Sequence, residues 1–329
     1  MSNGAGPYIS VLDPLGAAIE RVKVVLFQPF NLERWFIIGF CAWLASLMEA
    51  GGGGGGSGPN INLDRGSVEQ FQREVVQNLP VIIAVGGTLL VVGIVVQIVC
   101  LWLSSRGKFM FLHCVATNRA EVRIPWRNYR LQGNSLFLFR LAVFFIGFFC
   151  FALLIGTAVA LGVVLGQSGG PAPVIVVAAC ALPVFLLLVV VFALVGKFTE
   201  DFVTPVMMLR GSLCVPAWRE FLGLLGANKG RFALYILFQI IFGMAVALIL
   251  LLIAVATCCC AACIMAIPYI GTVFLLPLLV FWRAYSVIYL AQYGPPYDLI
   301  GALTPAPEPA PPMYMPPSGP SGSGPVQGL

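Results

Sequence analysis

The chain is short of charge and almost without histidine. Of its 329 residues 9% are Asp, Glu, Lys or Arg and 60% are hydrophobic, whereas a soluble domain carries roughly 25% charged residues. That balance excludes a soluble core of this size. Between Leu141 and Gly196, and again between Phe232 and Trp282, there is no charged side chain at all. Each run far exceeds the ~20 apolar residues that cross a hydrocarbon core of about 30 Å, so each crosses and returns. The single histidine, His113, excludes histidine dyads and histidine-rich metal sites. No ionisable side chain is expected at mid-membrane depth, where ion-coupled carriers and voltage sensors usually place one.

What is present specifies an all-α, polytopic transmembrane bundle. Six spans are expected, at about 35–50, 79–103, 136–166, 174–196, 232–256 and 264–289, arranged as three hairpins. Together they make a membrane domain over residues 1–293. The first span is the weakest, because its 16 residues rise only about 24 Å, and a re-entrant or interfacial helix is the alternative. It is not a cleavable signal, since its apolar region starts 34 residues in with no small-residue cleavage pattern after it. Pro183, Pro268 and Pro277 lie within spans and are expected to kink or locally unwind them. From Gly294 to Leu329 the Pro/Gly/Ser-rich composition cannot bury enough apolar surface to fold, so a disordered cytoplasmic tail is expected.

Basic residues set the orientation. On the six-span reading 16 of the 18 Lys and Arg residues fall on one side, three of them in residues 1–34, seven in 106–140, five in 197–231, and Arg283; only Arg65 and Arg73 fall on the other. That asymmetry places both termini in the cytoplasm, in a cell membrane. The net charge of +5 is spread over the connections beside apolar blocks. It reads as orientation signal and headgroup contact, and nucleic acid is not an expected partner.

The inner connections resemble one another. Gly107-Lys108-Phe109 leaves the second span and Gly196-Lys197-Phe198 the fourth; Pro125-Trp126-Arg127 and Pro216-Ala217-Trp218-Arg219 come next, and then Asn134 and Asn228 precede re-entry. The repeating unit is an amphipathic inner segment followed by a hairpin. In residues 119–130, Val122, Trp126 and Tyr129 fall on one helical face, with Arg119, Arg123, Arg127 and Arg130 on the other. That pattern fits an in-plane interfacial helix, with Pro125 as a breaking point. Trp218, Phe221, Leu222 and Leu225 repeat the apolar stripe. Arg119, Arg123, Arg127, Arg130, Trp126, Trp218 and Arg219 are therefore the candidate contacts with anionic lipid headgroups.

The run Asp201-Phe202-Val203-Thr204-Pro205-Val206-Met207-Met208, with Arg210-Gly211 and Ala217-Trp218-Arg219-Glu220-Phe221, resembles a family of prokaryotic multi-pass membrane proteins of unknown function. It is also distantly similar to the membrane domain that precedes some glycerophosphodiester phosphodiesterases. The resemblance covers roughly residues 10–293. It implies a prokaryotic cytoplasmic membrane and supplies no activity, and the segments between spans are too short for the barrel such an enzyme needs.

Candidate chemistry is sparse. Cys258, Cys259, Cys260 and Cys263 form one cluster at a bend, without the second pair of ligands that structural zinc sites use. They read as small apolar residues in a tight hairpin, with a disulfide as the alternative. Glu200 and Asp201 are candidate interfacial acids. Adjacent helical residues do not face one another, so they are expected to end the fourth span in an ion pair near Lys197 rather than to form a two-carboxylate site. Gln97 and Gln239 are the candidate polar side chains at mid-depth, either bonding between helices or bordering a permeation path. Ala158, Gly162 and Gly166 make a stripe suited to close helix packing. No catalytic group, cofactor or metal is expected. Three functions remain: a non-enzymatic role in membrane organisation, sensing or assembly, a facilitator or channel for a neutral or apolar solute, and a lipid-modifying enzyme. The expected partners are the bilayer with its anionic headgroups and a membrane protein or a second copy.

Overall fold

A computed structural model describes residues 9–50, 79–169, 171–257, 263, 265 and 267–304. The segment 51–78 with Arg65 and Arg73, the cluster Cys258 to Cys260 and the tail from residue 305 lie outside the described residues, as does the side chain of Glu49. Among the described residues the chain is helical and has no strand.

Helix α1 is Asp13–Val22 and continues through a wider turn, Lys23–Phe27. Helix α2 is Leu32–Ala50, opened by Asn31, whose side-chain oxygen accepts from the Glu33 amide at 2.8 Å. Helix α3 is Leu79–Thr117, 39 residues or roughly 58 Å at 1.5 Å each, far longer than a hydrocarbon core. It ends where Asn118 takes a left-handed conformation. Helix α4 is Arg123–Asn128, α5 is Arg130–Gly169 and α6 is Pro171–Phe198. Helix α6 runs on through a wide π-type turn, Thr199–Val203, into α7, Thr204–Arg210, which Gly211 terminates at φ +60°. Helices α8, Cys214–Ala227, and α9, Lys229–Ala256, come after it. The last are α10, Ile270–Phe274, α11, Leu276–Ala291, and the short α12, Leu299–Leu303.

Among the described residues four helical stretches are long and apolar enough to cross a membrane: Val85–Thr117, Arg130–Gly166, Val174–Arg210 and Lys229–Ala256. Six were expected. The expected span at 35–50 is helix α2, whose 19 residues carry Glu33 and Arg34 in their first turn. The expected span at 264–289 is divided, because Pro268 sits in the bend before α10 and Pro277 opens the 16-residue α11 after Leu275. A proline lacks the amide that would bond back to the preceding turn, so the helix restarts there. Pro183, by contrast, lies inside an unbroken α6.

The expected start of a disordered tail at Gly294 is also corrected. Residues 295–297 form a 3-10 turn and α12 succeeds it, with Asp298 accepting from the Gly301 amide at 2.9 Å and Leu299 fully buried. Tyr297, Ile300 and Leu303 also pack against the core, so the stretch is held by several apolar contacts as well as its cap.

The buried side chains are concentrated at one end of the bundle. Phe109, Met110, Leu112, Phe202, Met207, Phe221, Phe232, Tyr235, Tyr285 and Tyr289 form that core, while Val91, Phe149, Leu153, Val164, Leu187 and Leu251 along the long helices are exposed. At the same end the connections touch one another. Arg21 donates to the carbonyls of Val115 (2.9 Å) and Ala116, Arg34 to that of Asn118 at 2.8 Å, Gln132 to that of Gly211 at 3.2 Å, and the Cys214 amide to the Ser135 hydroxyl at 3.0 Å. The molecule is thus a packed helical base carrying hairpins of apolar helix. Within the hairpins small residues allow close approach: a Cβ on Gly166 would lie 3.1 Å from Val174, and one on Gly107 would lie 2.6 Å from the Ala45 amide nitrogen of α2.

Candidate functional site

The π-type turn after α6 organises the charged centre of the base. An extra residue in a helical turn rotates the helix beyond it, and such turns often carry functional side chains. Glu200 and Asp201 project from this one to different neighbours. Glu200 Oε2 meets the buried Lys108 ammonium of α3 at 2.5 Å, and Asp201 Oδ2 meets Lys197 at 3.0 Å, one turn back on α6. The two carboxylates pair with different lysines and do not form a two-carboxylate pair. The ion pair with Lys197 is present, but the helix does not end there.

From Asp201 the polar chain continues into α9. Tyr235 donates its hydroxyl hydrogen to Asp201 Oδ2 at 3.0 Å, and Gln239 Nε2 donates to the Tyr235 oxygen at 2.5 Å. Tyr235 and Gln239 are one turn apart on a face that the aromatic core covers, so this face of α9 turns inward. Across from it on α11, Arg283 is 5% exposed. Its Nη1 donates to the Glu200 carbonyl at 2.7 Å, and its Nη2 has no hydrogen-bond partner. Lys197 Nζ also lies 5.8 Å from the Trp282 ring centre, within reach of a cation–π attraction.

These groups border a cavity of about 750 Å³ between α6, α9 and α11. Lys197, Glu200, Asp201, Gln239 and Arg283 line its polar part; Val190, Ile236, Ile240 and Leu279 line the remainder. Val190, Ala193 and Ile240 are exposed on the outer surface of the long helices, so the cavity opens sideways among exposed apolar side chains. A charged floor beneath an apolar side entrance suits an amphiphile better than a freely soluble ion.

The other candidates fall elsewhere. Gln97 is exposed on α3 and does not border this cavity. The two glutamines are therefore not brought together. Arg119, Arg123, Arg127, Arg130 and Arg219 lie on the surface of the base. The helix expected over 119–130 is shorter, with only Arg123–Asn128 forming α4 and Arg130 already opening α5. Trp126 and Trp218 are half-buried. The Arg106 guanidinium stacks 4.4 Å from the Trp102 ring centre and 4.9 Å from that of Trp126, and Trp218 packs at 5.7 Å from Phe221 and 5.8 Å from Phe139. Leu222 of the second stripe is exposed. Burial pushes the Tyr129 hydroxyl pKa up and that of the Arg21 guanidinium down. Of the cysteine cluster, the described Cys263 is exposed.

Tyr235, Trp282 and Arg283 were not foreseen as site residues. Lys108 was not a candidate either; it and Lys197 sit in the repeated Gly-Lys-Phe triplets, and Arg283 is the lone cation after the last charge-free block, which are the only signals the residue order holds for them. Nothing in the residue order marked Tyr235, since an aromatic in an apolar helix is usually core.

No curated protein and no solved structure matches the chain. A family profile described as "Family of unknown function (DUF7544)" matches residues 9–294, nearly the whole described helical bundle, and this chain belongs to that family.

Proposed function

We propose that the protein is a non-enzymatic component of a prokaryotic cytoplasmic membrane that organises or helps assemble other membrane components, with both termini on the cytoplasmic side. One observation carries this reading. In the 18-residue apolar windows of the four membrane-crossing helices, between 0% and 6% of residues are buried within the chain. The helices leave the base with their apolar faces available to lipid, to a second copy or to another membrane protein. A bundle built to enclose a solute path would bury far more of them against one another. The exposed arginines of the base fit contact with anionic headgroups, each contributing ~1 kcal/mol near such a surface.

The test is site-specific photo-cross-linking from Leu153 and Leu187, exposed positions on α5 and α6. A covalent protein–protein adduct, with no tracer flux through reconstituted vesicles, is the expected result. Adducts to lipid alone, together with flux of a neutral solute, would replace this reading with a facilitator. The cavity that holds Gln239 supports that second reading, and its path would pass Gln239 without Gln97. The resemblance to membrane domains found beside some phosphodiesterases adds no catalytic group to either.

A further inference from the structure

Arg283 is a cation with no counter-ion among the described residues. Lys108 pairs with Glu200 and Lys197 with Asp201. Among the described residues no carboxylate lies within ion-pairing distance of Arg283, whose hydrogen bond goes to a neutral carbonyl. A guanidinium buried to this degree without an anion is costly, and one free amino group adds an unmet donor to that cost. Such a group is stabilised when an anion with at least two oxygens arrives, because the planar fork donates to two acceptors at once. Lys197, half-exposed at the same cavity, is paired with Asp201, but its ammonium has three hydrogens and can donate to a second acceptor as well.

The shape of the cavity narrows the anion further. It is large enough for a headgroup, its charged residues lie together at the base end, and its apolar lining reaches the lipid-facing surface at Val190 and Ile240. An inorganic ion would leave that apolar part unfilled, whereas an acyl chain would cover it. We propose that this cavity is a binding site for a phosphate group, delivered by one anionic phospholipid whose headgroup pairs with Arg283 and Lys197 and whose chain leaves between α6 and α9. The inference rests on the chain being a membrane protein and does not depend on the organising role.

The experiment is native mass spectrometry of the delipidated full chain, titrated separately with dioleoyl-phosphatidylglycerol, dioleoyl-phosphatidylcholine and inorganic phosphate. The expected result is one tightly held phosphatidylglycerol per chain, bound about tenfold more tightly than phosphatidylcholine. Arg283→Gln should lose that preference, while Arg283→Lys keeps part of it. Ile240→Trp, a change at an exposed position on the cavity wall, should lower phosphatidylglycerol binding without touching any charged group. It decides the matter if Arg283→Gln does not fold. Displacement of the lipid by inorganic phosphate, with the same dependence on Arg283, would uphold the phosphate site and assign it to the free ion. Equal binding of both lipids, or unchanged phosphatidylglycerol binding in a folded Arg283→Gln or in Ile240→Trp, would overturn the proposal. A chain that cross-links to no other protein yet holds the lipid would reject the organising role alone.

Discussion

Tyr235 on α9 donates its hydroxyl hydrogen to Asp201 at 3.0 Å, although 34 residues and a turn of the chain separate them. Tyr235 is completely buried, and Gln239 and Lys197 extend the contact to a four-residue polar chain that joins α6 to α9 at the membrane end of the base. Elsewhere along α9 the side chains are overwhelmingly apolar, so this chain fixes which face of the helix turns inward.

Tyr235→Phe should therefore lower stability in detergent by about 1–3 kcal/mol, because it removes a donor from a buried carboxylate while preserving the ring packing. Thermal unfolding of the purified protein measures it. An unchanged midpoint would mean that Lys197 alone satisfies Asp201.

The two lysines of the repeated triplets should differ. Lys108 is 5% exposed at its side chain and Lys197 41%. Removing one partner of a buried pair costs far more than removing an exposed one, which contributes about 0–1 kcal/mol. Lys108→Ala is thus expected to lower the unfolding midpoint well beyond Lys197→Ala, and equal losses would contradict the burial argument.

Gly107→Leu should separate α2 from α3, because even a Cβ there would lie 2.6 Å from the Ala45 backbone nitrogen, an atom that cannot step aside. Gly16→Leu is the control, since nothing lies within 4 Å of that position. The first variant should lose several kcal/mol of stability, as overpacking against backbone does, and the second almost none. Similar melting of both would show that α2 is loosely docked.

Cys214 should resist alkylation in the folded protein. Burial favours its neutral thiol and pushes its pKa from 9.0 up to about 12, and the thiolate is the reactive form. The associated stability is fully present below pH 9, where the unfolded thiol is still protonated, and is lost as pH rises from there through 12. In a chain whose other cysteines are replaced, a maleimide at about pH 8 should label only after unfolding. Rapid labelling of the native protein would place Cys214 at the surface.

Topology is open to a direct check. Arg21 and Arg34 bond to the backbone around residues 115–118, and Arg210 lies 5.8 Å from the Tyr297 ring centre. Cysteines placed at Asp13, Arg123 and Thr304 should accordingly all be labelled from the same face, the cytoplasmic one by the basic-residue count. Labelling of the Asp13 and Arg123 positions from opposite faces would show that α2 does not cross.

The residue order by itself determined the solvent. Charge-free runs of this length have no stable place in water, and a backbone in hydrocarbon must satisfy its hydrogen bonds internally, so helices along 136–166, 174–196 and 232–256 required no tertiary information. The inner ends of α3 and α6 extend further than expected, because these helices keep their hydrogen-bonding inside the protein base after leaving the apolar zone. Breaks were expected at Pro183, Pro268 and Pro277 alike from the missing amide, but only the latter two interrupt a helix; Pro183 lies inside an unbroken α6. The candidate site was legible only in its parts. Glu200, Asp201, Gln239 and the two repeat lysines each stood out, but their pairings did not. Lys108 and Glu200 are 92 positions apart, and which of several cations an acid meets depends on the rotation of whole helices, set by many weak packing contacts. The tertiary structure alone decided that Gln97 faces outward while Gln239 faces inward, and that Arg283 has no carboxylate partner among the described residues. Local patterns report the environment of a segment; long-range pairing reports how segments pack, and no local pattern contains that.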